Sequence, residues 1–197
     1  MPQQSAGAER SLETATRFIK NVVVLDDGAY FRIETSQVDQ HSLNACELAD
    51  AFAKHNILCS TFIPSAYPQE PFNDSVARYR KLIQTADAAV LDWQMPITGT
   101  PDNTSLCKSI IASLVKEERG TIPRALIIYT GEPITSSLGT SLVSMFPDDI
   151  RRKLNESGAE LTDFSIEKLH VVFLKKENQI PILIPEKNCS PLIFQKK

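Results

Sequence analysis

Five short apolar runs punctuate the chain: Val22–Leu25, Ile57–Ile63, Ala88–Leu91, Ala125–Tyr129 and Val171–Leu174. Most are continuous rather than alternating. That pattern suits strands of a parallel sheet buried on both faces. Between the runs the period changes to that of a helix. Ala45, Leu48, Ala49 and Phe52 fall at i, i+3, i+4 and i+7, and Cys107, Ile110, Ile111 and Leu114 repeat the spacing. Val76, Tyr79, Arg80 and Ile83 form a weaker stripe, preceded by Asn73-Asp74-Ser75 as cap candidates. Strand and helix in alternation predict an α/β domain with a doubly wound, five-stranded parallel sheet.

The flanks and one connection depart from that rhythm. Residues 1–18 are polar and read as a flexible extension, with the domain proper at 19–177 and an atypical tail at 178–197. Pro64, Pro68 and Pro71 predict a non-helical loop after the second strand. The stretch at about 132–169, between the fourth and fifth strands, is longer than one helix requires. Leu138, Leu142, Val143 and Phe146, then Ile150 and Leu154, predict two or three helical pieces, with Pro147-Asp148-Asp149 opening the second. Pro181, Pro185 and Pro191 forbid a single regular helix in the tail.

Composition narrows the function classes. Twenty-four acidic and 21 basic residues give a net charge of −3, so no basic excess marks a nucleic-acid or polybasic membrane binder. No apolar run approaches the roughly 20 residues of a membrane helix, and the N-terminus lacks the pattern of a secretory signal. Cys46, Cys59, Cys107 and Cys189 form no CxxC pair and read as reduced thiols, which suits the cytoplasm. His41, His55 and His170 show no metal-ligand spacing.

In an open parallel sheet, ligands bind beyond the carboxyl ends of the strands. Here the first strand ends in Asp26-Asp27, the third in Asp92, the fourth in Thr130-Gly131 and the fifth in Lys175-Lys176. Three carboxylates, a hydroxyl and an ammonium would converge on one rim. Mg²⁺ takes one or two carboxylates together with substrate phosphoryl oxygens. A carboxylate can also attack phosphorus to give an acyl phosphate. A metal, a lysine and a hydroxyl would stabilise the group in transfer. Each residue alone also has an ordinary reading, such as a turn, a cap or a solvated strand end. Trp93 reads as a packing residue near the rim rather than a binding platform.

The segments VVVLDD, VLDWQMP, LIIYTG and VFLKK, in that order, resemble the response-regulator receiver domain of two-component signalling. Asp92-Trp93-Gln94-Met95-Pro96 matches its phosphoacceptor pattern of Asp, any two residues, Met and Pro. The resemblance implies a flavodoxin-like sheet of order 2-1-3-4-5 with helices on both faces. It implies that Asp92 is phosphorylated by a histidine kinase or phosphotransfer protein, in a Mg²⁺-dependent reaction that the domain itself assists without being an enzyme. Asp26, Asp27, Asp92 and the backbone carbonyl of Gln94 would hold the metal. Thr130 and Gly131 would bind the phosphoryl group, and Thr130 would carry the switch. Phe173 would reorient on activation, and Gln94 and Glu132 would tune dephosphorylation. The active lysine would be Lys176, or Lys175 in the other register, because Glu177 stands where the family often has proline.

The long insertion resembles, weakly, atypical receivers of bacterial defence-type two-component systems. The tail also replaces the family's usual amphipathic fifth helix, so either the output face is remodelled or the chain is a fragment. An output domain or effector protein would be a further partner. Two other functions fit parts of the pattern. A pseudo-receiver would keep the fold as a protein-binding module without phosphorylation. A haloacid-dehalogenase-type phosphatase would account for LIIYTG, but Asp26 is followed by Asp27 and Gly28 and lacks that family's second aspartate two residues on.

Overall fold

The computed structural model describes residues 17–30, 43–66, 69–97, 100, 102–116, 125–158, 160–166 and 168–176. The tail expected at 178–197, and the extension before residue 17, lie outside the described residues. The elements in order are β1 (Asn21–Leu25), β2 (Ala29–Tyr30), β3 (Leu43–Asn44), α1 (Ala45–Ala53), β4 (Leu58–Phe62), a short 3-10 helix (Pro64–Ala66), α2 (Phe72–Gln84) and β5 (Ala88–Asp92). They continue with α3 (Ser105–Lys116), β6 (Ala125–Thr130), α4 (Ser136–Val143), α5 (Asp148–Ser157), β7 (Asp163–Ile166) and β8 (Leu169–Lys175).

The main sheet has the order β4-β1-β5-β6-β8-β7. Its first five strands run parallel, and β7 pairs antiparallel with β8. The five apolar runs are therefore the five parallel strands, in the expected order 2-1-3-4-5. Central strands are apolar on both faces because each face is packed. In β1, Val22, Val23, Val24 and Leu25 are at most 4% exposed.

The described helices divide unequally between the faces. The larger core joins Val23, Leu25, Leu91 and Ile128 of the sheet to Tyr79 and Ile83 of α2, Ile110 of α3, Leu142 of α4 and Leu154 of α5. The smaller core joins Val22, Val24 and Ala88 to Leu48 of α1, with Ala29 and Leu43 from the small β2–β3 ladder.

Helix ends follow local chemistry. Asn44 caps α1, its side chain accepting from the amides of Cys46 and Glu47 at 3.1 and 3.2 Å. α2 corrects the expected cap. It starts at Phe72 after Pro71, with no side-chain cap bond, so Asn73, Asp74 and Ser75 lie within its first turn. The Ser75 hydroxyl donates instead to Glu70, at 2.6 Å. α5 begins after Pro147, as expected, and ends at Gly158, whose φ of 65° is the left-handed conformation that favours glycine.

The stretch at 132–169 holds two helices, within the two or three pieces expected, and then a strand that the spacing did not predict. β7 turns Phe164 into the larger core, where its ring meets Phe146 edge-on at 6.2 Å. Gly139 lets α4 lie against the turn before β7, because a Cβ there would stand 2.2 Å from the Leu161 carbonyl oxygen.

Candidate functional site

The carboxyl ends of β1, β5, β6 and β8 meet at one rim because their registers are in step. Leu25 is level with Leu91, Leu91 with Ile128, and Thr130 with Lys175. The residue after β1 is Asp26, which is 2% exposed. Its amide donates to the Phe62 carbonyl at 3.2 Å, and its Oδ1 accepts from the Gly28 amide at 2.8 Å. The turn thus spends one carboxylate oxygen on its own backbone and leaves Oδ2 facing the rim cluster. Asp27 beside it is half-buried.

Asp92 ends β5 and is 5% exposed, with Oδ1 accepting from the Gln94 amide at 3.2 Å. The next residues fix it from below. Trp93 is 1% exposed, and its amide donates to the Tyr129 carbonyl at 2.9 Å. Its ring packs edge-on against Phe173 at 5.5 Å, with the Lys108 ammonium 5.4 Å from the ring centre. Trp93 is thus a packing residue. Fully buried Met95 donates its amide to the Asn103 carbonyl at 2.7 Å and anchors the loop.

Thr130, at the end of β6, is fully buried, and its Oγ1 accepts from the Glu132 amide at 3.0 Å. The hydroxyl hydrogen remains available to donate. A Cβ on Gly131 would meet nothing within 4 Å, so the rim above Thr130 is open. The Gln94 side-chain amide donates to the Glu132 carboxylate, bridging the loops after β5 and β6. Phe173 is 4% exposed and points inward.

Between the two candidate lysines the geometry discriminates. Lys176 donates to Asp92 Oδ2, and its Nζ lies 3.6 Å from Asp26 Oδ2. Its side chain is only 11% exposed. Lys175, one residue earlier in an alternating strand, is exposed. The Lys176 amide also donates to the Thr130 carbonyl, which continues the β6–β8 pairing past the strand end.

One ammonium faces three carboxylates, whose oxygens lie within 4.8 Å of one another. Burial raises the pKa of Asp26, Asp27 and Asp92. Lys176 opposes the rise at each, and neighbouring aspartates add to it. Tyr129 was not singled out by its sequence context, although it directly precedes Thr130. Its phenol is pushed up to about 12 by burial and by the charges of Asp26 and Asp92, and the Lys176 ammonium lies 5.3 Å from its ring centre. The rim therefore carries surplus negative charge on hard oxygen donors. That donor set fits a small divalent cation.

The response receiver domain family matches residues 18–180 of the chain. No curated protein and no solved structure matches it. Among the described residues, no helix is long and apolar enough to cross a membrane.

Proposed function

The chain belongs to the response receiver domain family, whose members act in two-component signalling, and on that premise we propose that Asp92 is its phosphoacceptor. The observation that carries this reading is the contact of Lys176 with Asp92 Oδ2 beside Asp26 and Asp27. A carboxylate oxygen of Asp92 would bond to phosphorus as the bond from phosphorus to the donor's imidazole nitrogen breaks. The electron pair of that bond leaves with the imidazole, and an acyl phosphate forms. The donor would be the phosphohistidine of a histidine kinase or a phosphotransfer protein, the kind of partner that the family implies.

Each neighbour has a part. Asp26, Asp27, Asp92 and the Gln94 carbonyl would hold Mg²⁺, which when bound supplies positive charge to the phosphoryl oxygens. Lys176 supplies a second, fixed positive charge. Thr130 turns its hydroxyl hydrogen toward the new phosphoryl group and adds a charge-assisted bond, while its Oγ1 can go on accepting from the Glu132 amide. That new bond, with a shift of Phe173 against Trp93, would be the switch. The Gln94–Glu132 bridge sits over the rim and would regulate the approach of water to the acyl phosphate. The protein assists its own phosphorylation and dephosphorylation and turns over no separate substrate. A cytoplasmic location accords with this role.

The test is incubation with acetyl phosphate and Mg²⁺, followed by a phosphate-affinity gel. A retarded band that is absent in Asp92→Asn supports the proposal. No retarded band, or one that survives in Asp92→Asn, overturns it.

A further inference from the structure

A lysine ammonium ends a long, flexible stem, so a lysine kept in one place is held there by its surroundings. The Lys176 side chain is only 11% exposed, and two kinds of group surround its ammonium. Asp26 and Asp92 supply charge. Tyr129 supplies a ring, whose centre lies 5.3 Å from the ammonium, within reach of a cation–π attraction.

The sheet register explains the meeting. Tyr129 is level with Asp92 on β5 and with Leu174 on β8. Level residues of parallel strands share a face, and side chains alternate along each strand. Lys176 follows Leu174 by two residues, and its amide continues the β6–β8 pairing by donating to the Thr130 carbonyl. Its side chain therefore leaves on the face of Tyr129 and Asp92. Ile128, one residue before, belongs to the larger core, whereas among the described residues Tyr129 belongs to neither core. The phenol, pushed up to about 12 by burial and by the charges of Asp26 and Asp92, is neutral near pH 7, so it attracts the ammonium through its ring rather than as a phenolate.

We propose that Tyr129 is a positioning residue for phosphoryl transfer, its ring holding the Lys176 ammonium at Asp92. The proposal rests on the reading of Asp92 as the phosphoacceptor. Tyr129 acts through Lys176 rather than on the phosphoryl group. The pull of the ring does not depend on the charge of the aspartates. It persists when a cation among Asp26, Asp27 and Asp92 offsets that charge and loosens their hold on the lysine.

The experiment has two arms, both on the full chain. In the first, proton NMR in EDTA follows the Lys176 Hε signals, assigned by their loss in Lys176→Met. They should lie upfield of the ordinary lysine position in wild type and in Tyr129→Phe, which keeps the ring, and return toward that position in Tyr129→Leu. Signals at the ordinary position in wild type, or signals that Tyr129→Leu leaves in place, overturn the proposal. In the second arm, the rate of phosphorylation by acetyl phosphate with Mg²⁺ should fall roughly 5-fold in Tyr129→Leu and stay near wild type in Tyr129→Phe. An unchanged rate in Tyr129→Leu, or an equal loss in Tyr129→Phe, overturns it too. The first arm involves no phosphoryl donor, so if wild type accepts no phosphoryl group the proposed function fails while the NMR signals still decide whether the ring holds Lys176.

Discussion

Replacing Asp27 with Asn should stabilise the metal-free protein. The carboxylate oxygens of Asp26, Asp27 and Asp92 lie within 4.8 Å of one another, and Lys176 is the cation seated among them. Two unit charges at that separation repel by about 3.5 kcal/mol at an effective permittivity of 20, and by about 0.9 kcal/mol in water. Asp27 is half-buried, so solvent screening brings the relief toward the lower figure, about 1 kcal/mol. In a chain of this length that corresponds to a rise in Tm of about 2–4 °C. The assay is thermal unfolding of wild type and Asp27→Asn in EDTA, then in millimolar Mg²⁺. With Mg²⁺ the order should reverse, because the wild type gains binding energy and the variant loses a ligand. A variant that is less stable in EDTA, or that keeps the full Mg²⁺-dependent rise, would refute the argument from crowded charge.

Further predictions follow from the same geometry. The raised pKa values of Asp26, Asp27 and Asp92 mean that the folded state holds their protons more tightly than the unfolded state. Metal-free stability should therefore fall as pH rises from the ordinary value of 3.8 through the raised folded values, and the contribution of these groups should level off above them. Thermal scans across that window in EDTA would show it, and a site contribution that grows with pH would contradict it. Lys176→Met strips the ammonium from two buried carboxylates. It should cost about 3 kcal/mol of metal-free stability and slow phosphorylation by acetyl phosphate about 100-fold, whereas Lys175→Met should leave that rate near wild type. Gly139→Ala drives a Cβ onto the Leu161 carbonyl and should cost about 1–3 kcal/mol in denaturant unfolding while Asp92 remains reactive.

What the sequence discloses here depends on how locally each feature is determined. Val22–Leu25 and Ala88–Leu91 are apolar at every position because both faces of their strands are packed, so the runs themselves reveal the central strands. Asp26, Asp92 and Thr130 stand at strand ends, and once the strands are placed their convergence follows from the topology. Lys175 and Lys176 differ by one residue, and only the β6–β8 register and strand alternation separate them. β7 is different. Asp163-Phe164-Ser165-Ile166 alternates for just four residues, and its partner β8 and the contact of Phe164 with Phe146 make it a strand. The β2–β3 ladder, two residues on each side, likewise exists through tertiary pairing alone. The cap of α2 is misread because Asn73, Asp74 and Ser75 have side chains suited to capping, while Pro71 already sets the entry of the chain. How the described helices divide between the faces is also hidden, since apolar spacing marks one side of a helix without saying which face of the sheet receives it.

The most direct test of the central claim is to locate the phosphoryl group chemically. The protein is treated with acetyl phosphate and Mg²⁺, reduced with borohydride, which converts an aspartyl phosphate to homoserine, and sequenced by tandem mass spectrometry. Homoserine is expected at position 92 and at no other aspartate. Reduction at Asp26 or Asp27, or none at any position, would contradict it.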